Sequence, residues 1–158
     1  MSDKKLISIS SALLLASAYI FISTMPAQAA GSCELNLDST DMMKFSVAEV
    51  SVPKTCKDFT INLKHTGKMP KNIMGHNLVI SKETDQAGVI EDGNKAGIAG
   101  DYVKAKDARV VAYTKIIGGG EETSTKFAVA KLNATDKFTF YCSFPGHAFG
   151  MKGVVKLI

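Results

Sequence analysis

Three residues near the C-terminus carry side chains that bind soft or borderline metal ions. Cys142, His147 and Met151 lie in one short stretch with the spacing Cys-x4-His-x3-Met. A thiolate, an imidazole and a thioether together suit copper, which accepts these donors in both of its common oxidation states. Zinc normally takes a fourth strong donor instead of a thioether. The sequence has no C-x-x-C-H motif for haem and too few cysteines for an iron–sulfur cluster, so this stretch favours copper.

Each of these residue types also has a common structural role. A cysteine in phase with phenylalanines is most often a core residue, and a methionine beside glycine most often fills a gap in the core. A histidine at a strand end is usually solvated or hydrogen-bonded. Taken one at a time, these structural roles are the better interpretation. The metal hypothesis therefore depends on whether the strands bring the donors together.

The phases of two strands predict that they do. Cys142 is in phase with Phe138 and Phe140 in the segment KFTFYC, so its sulfur is expected to point into the same apolar interior. His76 is in phase with Leu78 at the start of HNLVIS. If these two strand ends lie at the same end of the fold, the imidazole of His76 faces the thiolate and supplies a fourth donor.

The rest of the chain predicts an all-β fold. Alternation at period two recurs about every dozen residues and suggests about eight strands, arranged as a sandwich or barrel. Turn signals such as Val52–Pro53–Lys54 and Gly118–Gly119–Gly120 separate the strands. Residues 84–108, here called the flap, are too long for a loop without structure of its own. We expect a surface flap with a short helix that begins at Gln86, weakened by several glycines.

The first 29 residues have the order of a secretory signal peptide. A short basic head precedes an apolar run from Leu6 to Ile22, and the pattern Ala-Gln-Ala ends at Ala29. The sequence predicts cleavage near Ala29 or Ala30, a single mature domain of residues 30–158, export to the periplasm, and no membrane insertion of the mature chain. An uncleaved membrane anchor is the alternative, because the apolar run approaches spanning length.

The net charge of the chain bears on one class of partner, nucleic acid. The formal charge of +4 falls to +3 without the leader, which carries Lys4, Lys5 and Asp3. The basic residues are scattered, so nucleic acid binding is not predicted.

Three cysteines in an exported chain leave one without a partner. The economical assignment is a disulfide between Cys33 and Cys56 and a functional thiol at Cys142, although sequence alone does not fix the connectivity.

Two segments resemble the ligand segments of azurins, blue copper proteins of the cupredoxin family. They are Met-Gly-His-Asn at 74–77 and Cys-Ser-Phe-Pro-Gly-His-Ala-Phe-Gly-Met at 142–151. The four residues between Cys142 and His147 are specific, since related cupredoxins such as plastocyanin have only two. The resemblance extends to Cys33, Cys56, KHTGKMPKN, DYVK and TKIIGGGEE, and so covers essentially the whole predicted mature chain. It implies an eight-stranded Greek-key β-sandwich.

The resemblance also implies a complete mononuclear copper site, with one copper ion per chain. The implied equatorial ligands are His76, Cys142 and His147, with the Met151 sulfur and the Gly75 carbonyl as weak axial neighbours. Asn77 is expected to pin the two ligand loops together, and backbone amides near Phe144 to temper the thiolate. The implied docking patch for redox partners around the exposed edge of His147 consists of Met43, Met74, Phe144, Pro145 and Gly146.

Of two further positions, one differs from familiar azurins and one matches them. Leu78 stands where familiar azurins have a core tryptophan. His65 matches a buried family histidine, with an ordinary loop histidine as the alternative.

The function implied by the resemblance is one-electron transfer rather than enzymatic turnover. The expected protein is a periplasmic monomer that cycles Cu(I) and Cu(II) and exchanges electrons with c-type cytochromes and periplasmic reductases or dehydrogenases.

A copper chaperone or storage module is one alternative, since Met42, Met43 and Met74 are further soft donors. A hydrolase that uses Cys142 and His147 is another, but it needs an open cleft and an oxyanion hole.

Overall fold

The computed structural model describes residues 31–158, and the predicted signal peptide lies outside them. The described part of the chain forms nine strands, two α-helices and four short 3₁₀ turns. The strands are β1 Glu34–Thr40, β2 Lys44–Phe45, β3 Glu49–Val52, β4 Asp58–His65, β5 Val79–Lys82, β6 Val110–Tyr113, β7 Glu122–Ala128, β8 Phe138–Tyr141 and β9 Lys152–Leu157. The helices are α1 Lys71–Met74 and α2 Gln86–Ala96, and the 3₁₀ turns are Glu83–Asp85, Ile98–Gly100, Val129–Lys131 and His147–Phe149. Neither helix has the length and apolar character needed to span a membrane.

The strands form two mixed sheets, which confirms the predicted all-β sandwich. One sheet has the order β2-β1-β4-β7 and the other the order β3-β9-β8-β5-β6. The pairs β1–β4 and β3–β9 are parallel, and the remaining pairs are antiparallel. Nine strands are present where about eight were expected. The alternation of Phe45 and Val47 predicts one strand, but the chain crosses from the first sheet to the second between Phe45 and Glu49 and forms two strands there, β2 and β3.

The core follows the period-two pattern of the strands. Phe59, Ile61 and Leu63 of β4 are fully buried, while the residues between them are partly exposed. Leu37 of β1 and Phe140 of β8 pack in the same cluster between the two sheets. Full burial of one such side chain stabilises the fold by about 1.5–3 kcal/mol. The apolar faces of the two sheets therefore fix the relative position of the strand ends that carry the candidate ligands.

The predicted disulfide between Cys33 and Cys56 is present, with a Cα–Cα distance of 5.7 Å. Cys142 is free and buried. Cys33 precedes the first residue of β1, whereas the last residue of that strand, Thr40, contacts His76. The length of β1 therefore separates the disulfide from the free thiol, and the two cysteine groups belong to opposite ends of the sandwich.

The flap contains the predicted helix, which begins at Gln86 as expected and continues to Ala96. Helix α2 packs on the five-stranded sheet, where Val89 of the helix and Val103 meet Val79 and Tyr141 in a second apolar cluster. The helix includes Gly93, although glycine lowers helix propensity. A Cβ atom at Gly93 would collide with the backbone carbonyl of Tyr102. Glycine is needed here because the end of the flap folds back onto the helix.

Candidate metal centre

Strand pairing brings the candidate ligands to one end of the sandwich, here called the ligand end. Val79 at the start of β5 is paired with Tyr141 at the end of β8. Because the two strands are antiparallel, the residues before β5 and those after β8 leave the sheet at the same end. Cys142 directly follows β8, and His76 lies three residues before β5. The convergence that strand phase predicted is present in the fold.

The three strongest donors lie within reach of one ion. The Sγ atom of Cys142 is 3.9 Å from Nδ1 of His76 and 3.7 Å from Nδ1 of His147. The three ligand atoms all lie within 4.8 Å of one another, and all three residues are buried. Within residues 31–158 this is the only cluster of three or more His, Cys, Asp or Glu side chains that could hold a metal ion.

Hydrogen bonding fixes the tautomer of His76. Its Nε2 atom lies 2.9 Å from the carbonyl oxygen of Thr40, which can only accept a hydrogen bond. The proton is therefore on Nε2, and the lone pair of Nδ1 faces Cys142. Burial lowers the pKa of His76 to about 4, and it also lowers the pKa of His147. Both imidazoles are consequently neutral at pH 7, which is the form that binds a metal ion.

Cys142 is fully buried, and its environment disfavours a free thiolate. Burial raises the pKa of Cys142 to about 11, although hydrogen bonds from the backbone amides of Asn77 and Phe144 partly oppose this effect. A thiol in this position loses its proton when a cation binds, since the metal charge stabilises the thiolate. One ionisable thiol and two neutral imidazoles form a donor set that fits a copper ion.

The two expected axial groups lie beside these donors. Sγ of Cys142 is 3.9 Å from the carbonyl oxygen of Gly75. Met151 is fully buried, and its carbonyl oxygen accepts a hydrogen bond of 3.0 Å from the amide of Cys142. The 3₁₀ turn at His147–Phe149 returns the chain, since the amide of Met151 donates to the carbonyl of His147 at 2.9 Å. The expected axial residues are thus next to the buried cluster.

Asn77 ties the ligand segments together. Its Oδ1 accepts a hydrogen bond of 2.9 Å from the amide of Ser143, the residue after Cys142. Its Nδ2 donates to Oγ of Ser143 and to the carbonyl of Asp101, both at 2.8 Å. The side chain is fully buried. The link to Asp101, which joins the flap to the ligand end, was not predicted, because a contact between residues 24 positions apart leaves no local signal in the sequence.

His65 is a buried histidine rather than a solvated loop residue. It ends β4, is fully buried, and stacks on His76 with ring centroids 4.4 Å apart. Its Nδ1 accepts a hydrogen bond from the amide of Gly67, and its Nε2 donates to the carbonyl of Met74, both at 3.0 Å. The ring therefore packs against one face of the His76 imidazole.

The surface above His147 is apolar but leaves little of that residue accessible. His147 is 5% exposed, and the ring of Phe144 packs against it at a centroid distance of 4.5 Å. Met43 is 43% exposed at this end. The expected docking residues Pro145 and Gly146 are exposed, while Met74 and Phe144 are partly exposed.

Phe149 is 91% exposed and was not among the predicted surface residues. A signal for it was its place between His147 and Met151, because a tight turn that points both flanking ligands inward directs an intervening side chain outward.

Comparison with known proteins agrees with this geometry. Residues 31–158 match the family model described as copper binding proteins, plastocyanin/azurin family. The azurin of Pseudomonas chlororaphis is 54% identical over 125 residues, which are 79% of this chain and 98% of that protein. The azurin of Alcaligenes faecalis is 52% identical over 126 residues, 80% of this chain and 98% of that protein.

A solved structure is also similar. It is the azurin Az-iso2 of the obligate methylotroph Methylomonas sp. strain J, with a TM-score of 0.78 and 45% identity, covering 81% of this chain and 99% of that chain. Sequence and fold agree over essentially all of the described residues, and the chain therefore belongs to the plastocyanin/azurin family of copper-binding proteins.

Proposed function

We propose that His76, Cys142 and His147 hold one copper ion and that this type 1 centre carries single electrons between proteins. The observation that supports this most directly is the buried convergence of one thiol and two neutral imidazoles in a chain of the plastocyanin/azurin family. Met151 and the carbonyl of Gly75 are proposed as weaker axial neighbours. Bound copper supplies a Cu(I)/Cu(II) couple, and the chain supplies the fixed environment in which that couple operates.

The chain restricts rearrangement of the proposed ligands. The ring of His76 is fixed by the Thr40 carbonyl, and its backbone is fixed by a two-way bridge with Ile117. Asn77 links its segment to the loop that carries Cys142 and His147. Such supporting contacts orient ligands, so little structural change accompanies a change of oxidation state.

The proposed route for electrons is through His147 and the apolar surface around it. Met43, Pro145 and Gly146 are exposed there, and Met74 and Phe144 are partly exposed. Because His147 is only 5% exposed, a partner must lie directly against this surface for efficient transfer. An apolar surface of this kind suits brief docking of redox proteins, for which c-type cytochromes and periplasmic reductases or dehydrogenases are the proposed partners.

The same features favour a carrier over an enzyme. Cys142 is fully buried, so a Cys–His hydrolase would have no access to its nucleophile. Copper chaperone or storage activity is supported only by the thioethers of Met42 and Met43, which are exposed, and of Met74, which is partly exposed. The signal-peptide pattern of residues 1–29 supports export to the periplasm as a single mature domain, proposed to act as a monomer.

The copper assignment is tested by adding Cu(II) to the purified metal-free mature chain and recording the visible spectrum. We expect an intense blue thiolate-to-copper band that is lost in Cys142→Ala and retained in Met42→Ala. Absence of the band, or its survival in Cys142→Ala, contradicts the assignment. Rapid loss of copper to a competing chelator would favour the chaperone alternative, and turnover of an ester substrate that is blocked by thiol alkylation would favour the hydrolase.

A further inference from the structure

Two consecutive residues at the end of the flap have an unusual backbone. Asp101 has φ +56° and Tyr102 has φ +52°. Both are left-handed conformations that residues with a Cβ atom rarely adopt, and two in succession persist only when surrounding contacts hold them. The pair directly follows the 3₁₀ turn at Ile98–Gly100. We call Asp101 and Tyr102 the flap corner.

Asp101 contacts both the segment that contains His76 and the neighbouring segment that pairs with it. Its carbonyl oxygen accepts the hydrogen bond of 2.8 Å from Nδ2 of Asn77, the residue after His76. Its Oδ1 atom accepts a hydrogen bond of 2.8 Å from the amide of Ile116. The next residue, Ile117, exchanges two backbone hydrogen bonds of 2.9 Å with His76. One residue of the flap thus joins two segments that position a proposed ligand.

Tyr102 contacts the other ligand loop. Its ring meets Phe144 edge to face at a centroid distance of 5.2 Å, and Phe144 in turn packs on His147 at 4.5 Å. The backbone carbonyl of Tyr102 lies directly against Gly93 of helix α2. The close packing of the Tyr102 carbonyl against the helix therefore limits movement of the corner.

The two residues that the corner holds also share one chemical role. The backbone amides of Asn77 and Phe144 both stabilise the thiolate of Cys142 and so oppose the rise in its pKa that burial causes. Asn77 is bound by Asp101, and the ring of Phe144 is held by Tyr102. Each residue of the corner therefore contacts one of the two residues whose amides act on the Cys142 sulfur.

We propose that Asp101 and Tyr102 are positioning residues for the redox centre, which keep the amides of Asn77 and Phe144 directed at the Cys142 sulfur. This inference rests on the proposed copper function. Hydrogen bonds to a thiolate withdraw electron density from it and so disfavour Cu(II) relative to Cu(I). Loosening the corner weakens these bonds, and the reduction potential is expected to fall.

Three substitutions at Asp101 remove the same charge but differ in two properties: whether they keep the acceptor for the Ile116 amide and whether they tolerate the left-handed backbone. Asp101→Asn keeps an oxygen that accepts from Ile116 and tolerates the left-handed backbone. Asp101→Gly tolerates the backbone but loses that acceptor, and Asp101→Ala loses both. We expect the midpoint potential to decrease in the order Asn, Gly, Ala. We also expect copper release from Asp101→Ala to a chelator to be faster than from Asp101→Asn by roughly tenfold or more, as for other residues that support metal ligands.

Tyr102 and Lys106 provide the matched controls. Tyr102→Phe keeps the ring contact and should retain the wild-type potential, whereas Tyr102→Leu should lower it. Lys106 also has a left-handed backbone in the flap, with φ +56°, but it has no hydrogen bond or ion pair from its side chain within residues 31–158. Lys106→Ala therefore truncates a side chain at another left-handed position of the flap that has no link to the ligand loops, and its potential should equal that of the wild type.

Hydrogen exchange in the metal-free proteins gives a readout that does not depend on copper. We expect faster exchange at the amides of Asn77 and Phe144 in Asp101→Ala and Tyr102→Leu, but not in Lys106→Ala. Equal potentials and unchanged exchange among the three Asp101 variants, with only a loss of thermal stability, would show that the corner is merely structural and overturn the proposal. If Asp101→Ala does not fold, Asp101→Gly and Tyr102→Leu decide the same question. Failure of the proposed function itself is distinguishable, because the wild-type protein would then lack the blue band.

Discussion

The ring of His76 illustrates how single contacts prepare a side chain for metal binding. The Thr40 carbonyl accepts a hydrogen bond from Nε2, and the ring of His65 stacks on the imidazole. Burial then keeps the imidazole neutral at physiological pH. These effects act before any metal is present. They leave the Cys142 thiol as the one group among the three donors that must lose a proton on binding.

This imbalance predicts the pH dependence of metal affinity. Burial raises the pKa of Cys142 to about 11, so below that pH each unit of pH increases the thiolate fraction about tenfold. Both histidines are already neutral above pH 7, because burial lowers the pKa of each. The apparent affinity for Zn²⁺, used as a redox-inert probe, should therefore rise about tenfold per pH unit between pH 7 and 8.5.

Competition titration with a chromophoric chelator measures this slope. Cys142→Ser is the matched control, since its hydroxyl does not ionise in this range, and it should bind more weakly with little dependence on pH. A wild-type affinity that does not change with pH would contradict the assignment of the proton to Cys142.

The flap shows how an element outside the two sheets is held in place. Helix α2 has only a small apolar cluster beneath it, so polar contacts at its end have an important part in fixing it. Arg109 connects the helix to the returning chain through hydrogen bonds of 2.7 Å to Asp92 and 2.6 Å to Asp107. The Asp107 side chain is only 5% exposed, and Arg109 lowers its pKa to about 2. We call these contacts of Arg109 the Arg109 anchor. The anchor and the flap corner belong to the same connection between β5 and β6, so the anchor helps to fix the position of the corner.

The Arg109 anchor predicts a component of stability that is lost in acid. The pKa of Asp107 is lower in the folded chain than its ordinary value of 3.8, so its contribution is fully present above about pH 4 and lost as the pH falls through about 2. Asp107→Asn should lower the free energy of unfolding at pH 7 by about 1–3 kcal/mol, since charged hydrogen bonds are lost. Near pH 2 the difference from wild type should largely disappear.

Urea denaturation at both pH values tests this expectation. Glu122→Gln is the control, because Glu122 forms an ion pair with Lys64 in which both side chains are more than half exposed. Exposed ion pairs of this kind contribute little to stability because solvent screens them, so Glu122→Gln should change the free energy of unfolding only slightly at either pH. A difference between wild type and Asp107→Asn that stayed constant from pH 7 to pH 2 would argue against this role of the carboxylate.

At the scale of the whole molecule, the disulfide and the proposed copper centre lie at opposite ends of the sandwich. The disulfide lies at the start of β1, and the proposed copper ligands lie at the ligand end. Exposed lysines surround the apolar surface of the ligand end. Lys44 follows Met43, Lys71 begins the helix that ends at Met74, and Lys152 borders a groove beside Phe149. None of these three lysines has an ion-pair partner within residues 31–158.

These lysines predict salt-dependent electron transfer with anionic partners. Positive charge around the proposed exit at His147 attracts an anion and raises its encounter rate, and salt screens this attraction. Oxidation of the Cu(I) protein by hexacyanoferrate(III) should therefore slow as ionic strength rises. Replacing Lys44, Lys71 and Lys152 by Glu should slow it about three- to tenfold at low salt. Stopped-flow absorbance at the blue band measures both effects.

Lysines at the disulfide end provide the control for position. Lys54 and Lys57 are exposed beside Cys56, and their replacement by Glu should have a much smaller effect. The cationic oxidant tris(phenanthroline)cobalt(III) should show the opposite trend and react faster with the triple variant. Equal effects per replaced lysine in the two sets would indicate that net charge, rather than docking at the ligand end, controls the rate.

The sequence by itself determined the donor residues and the all-β class, and it showed that one of three cysteines must lack a partner within the chain. These features follow from local patterns: side chains alternate every two residues along a strand, and the phases of KFTFYC and HNLVIS direct Cys142 and His76 inward. The division of one strand into β2 and β3 was not visible, because it depends on the chain crossing between sheets rather than on local alternation.

Only the tertiary structure decided how the donors are held and protonated. The Thr40 carbonyl is 36 residues from His76, and Asp101 is 24 residues from Asn77, so neither contact leaves a local signal. The neutral state of His76 and the raised pKa of Cys142 arise from burial, which is a property of the packed molecule. Sequence periodicity places a side chain on one face of its own strand, but contacts between distant segments determine its neighbours, and those neighbours set its chemistry.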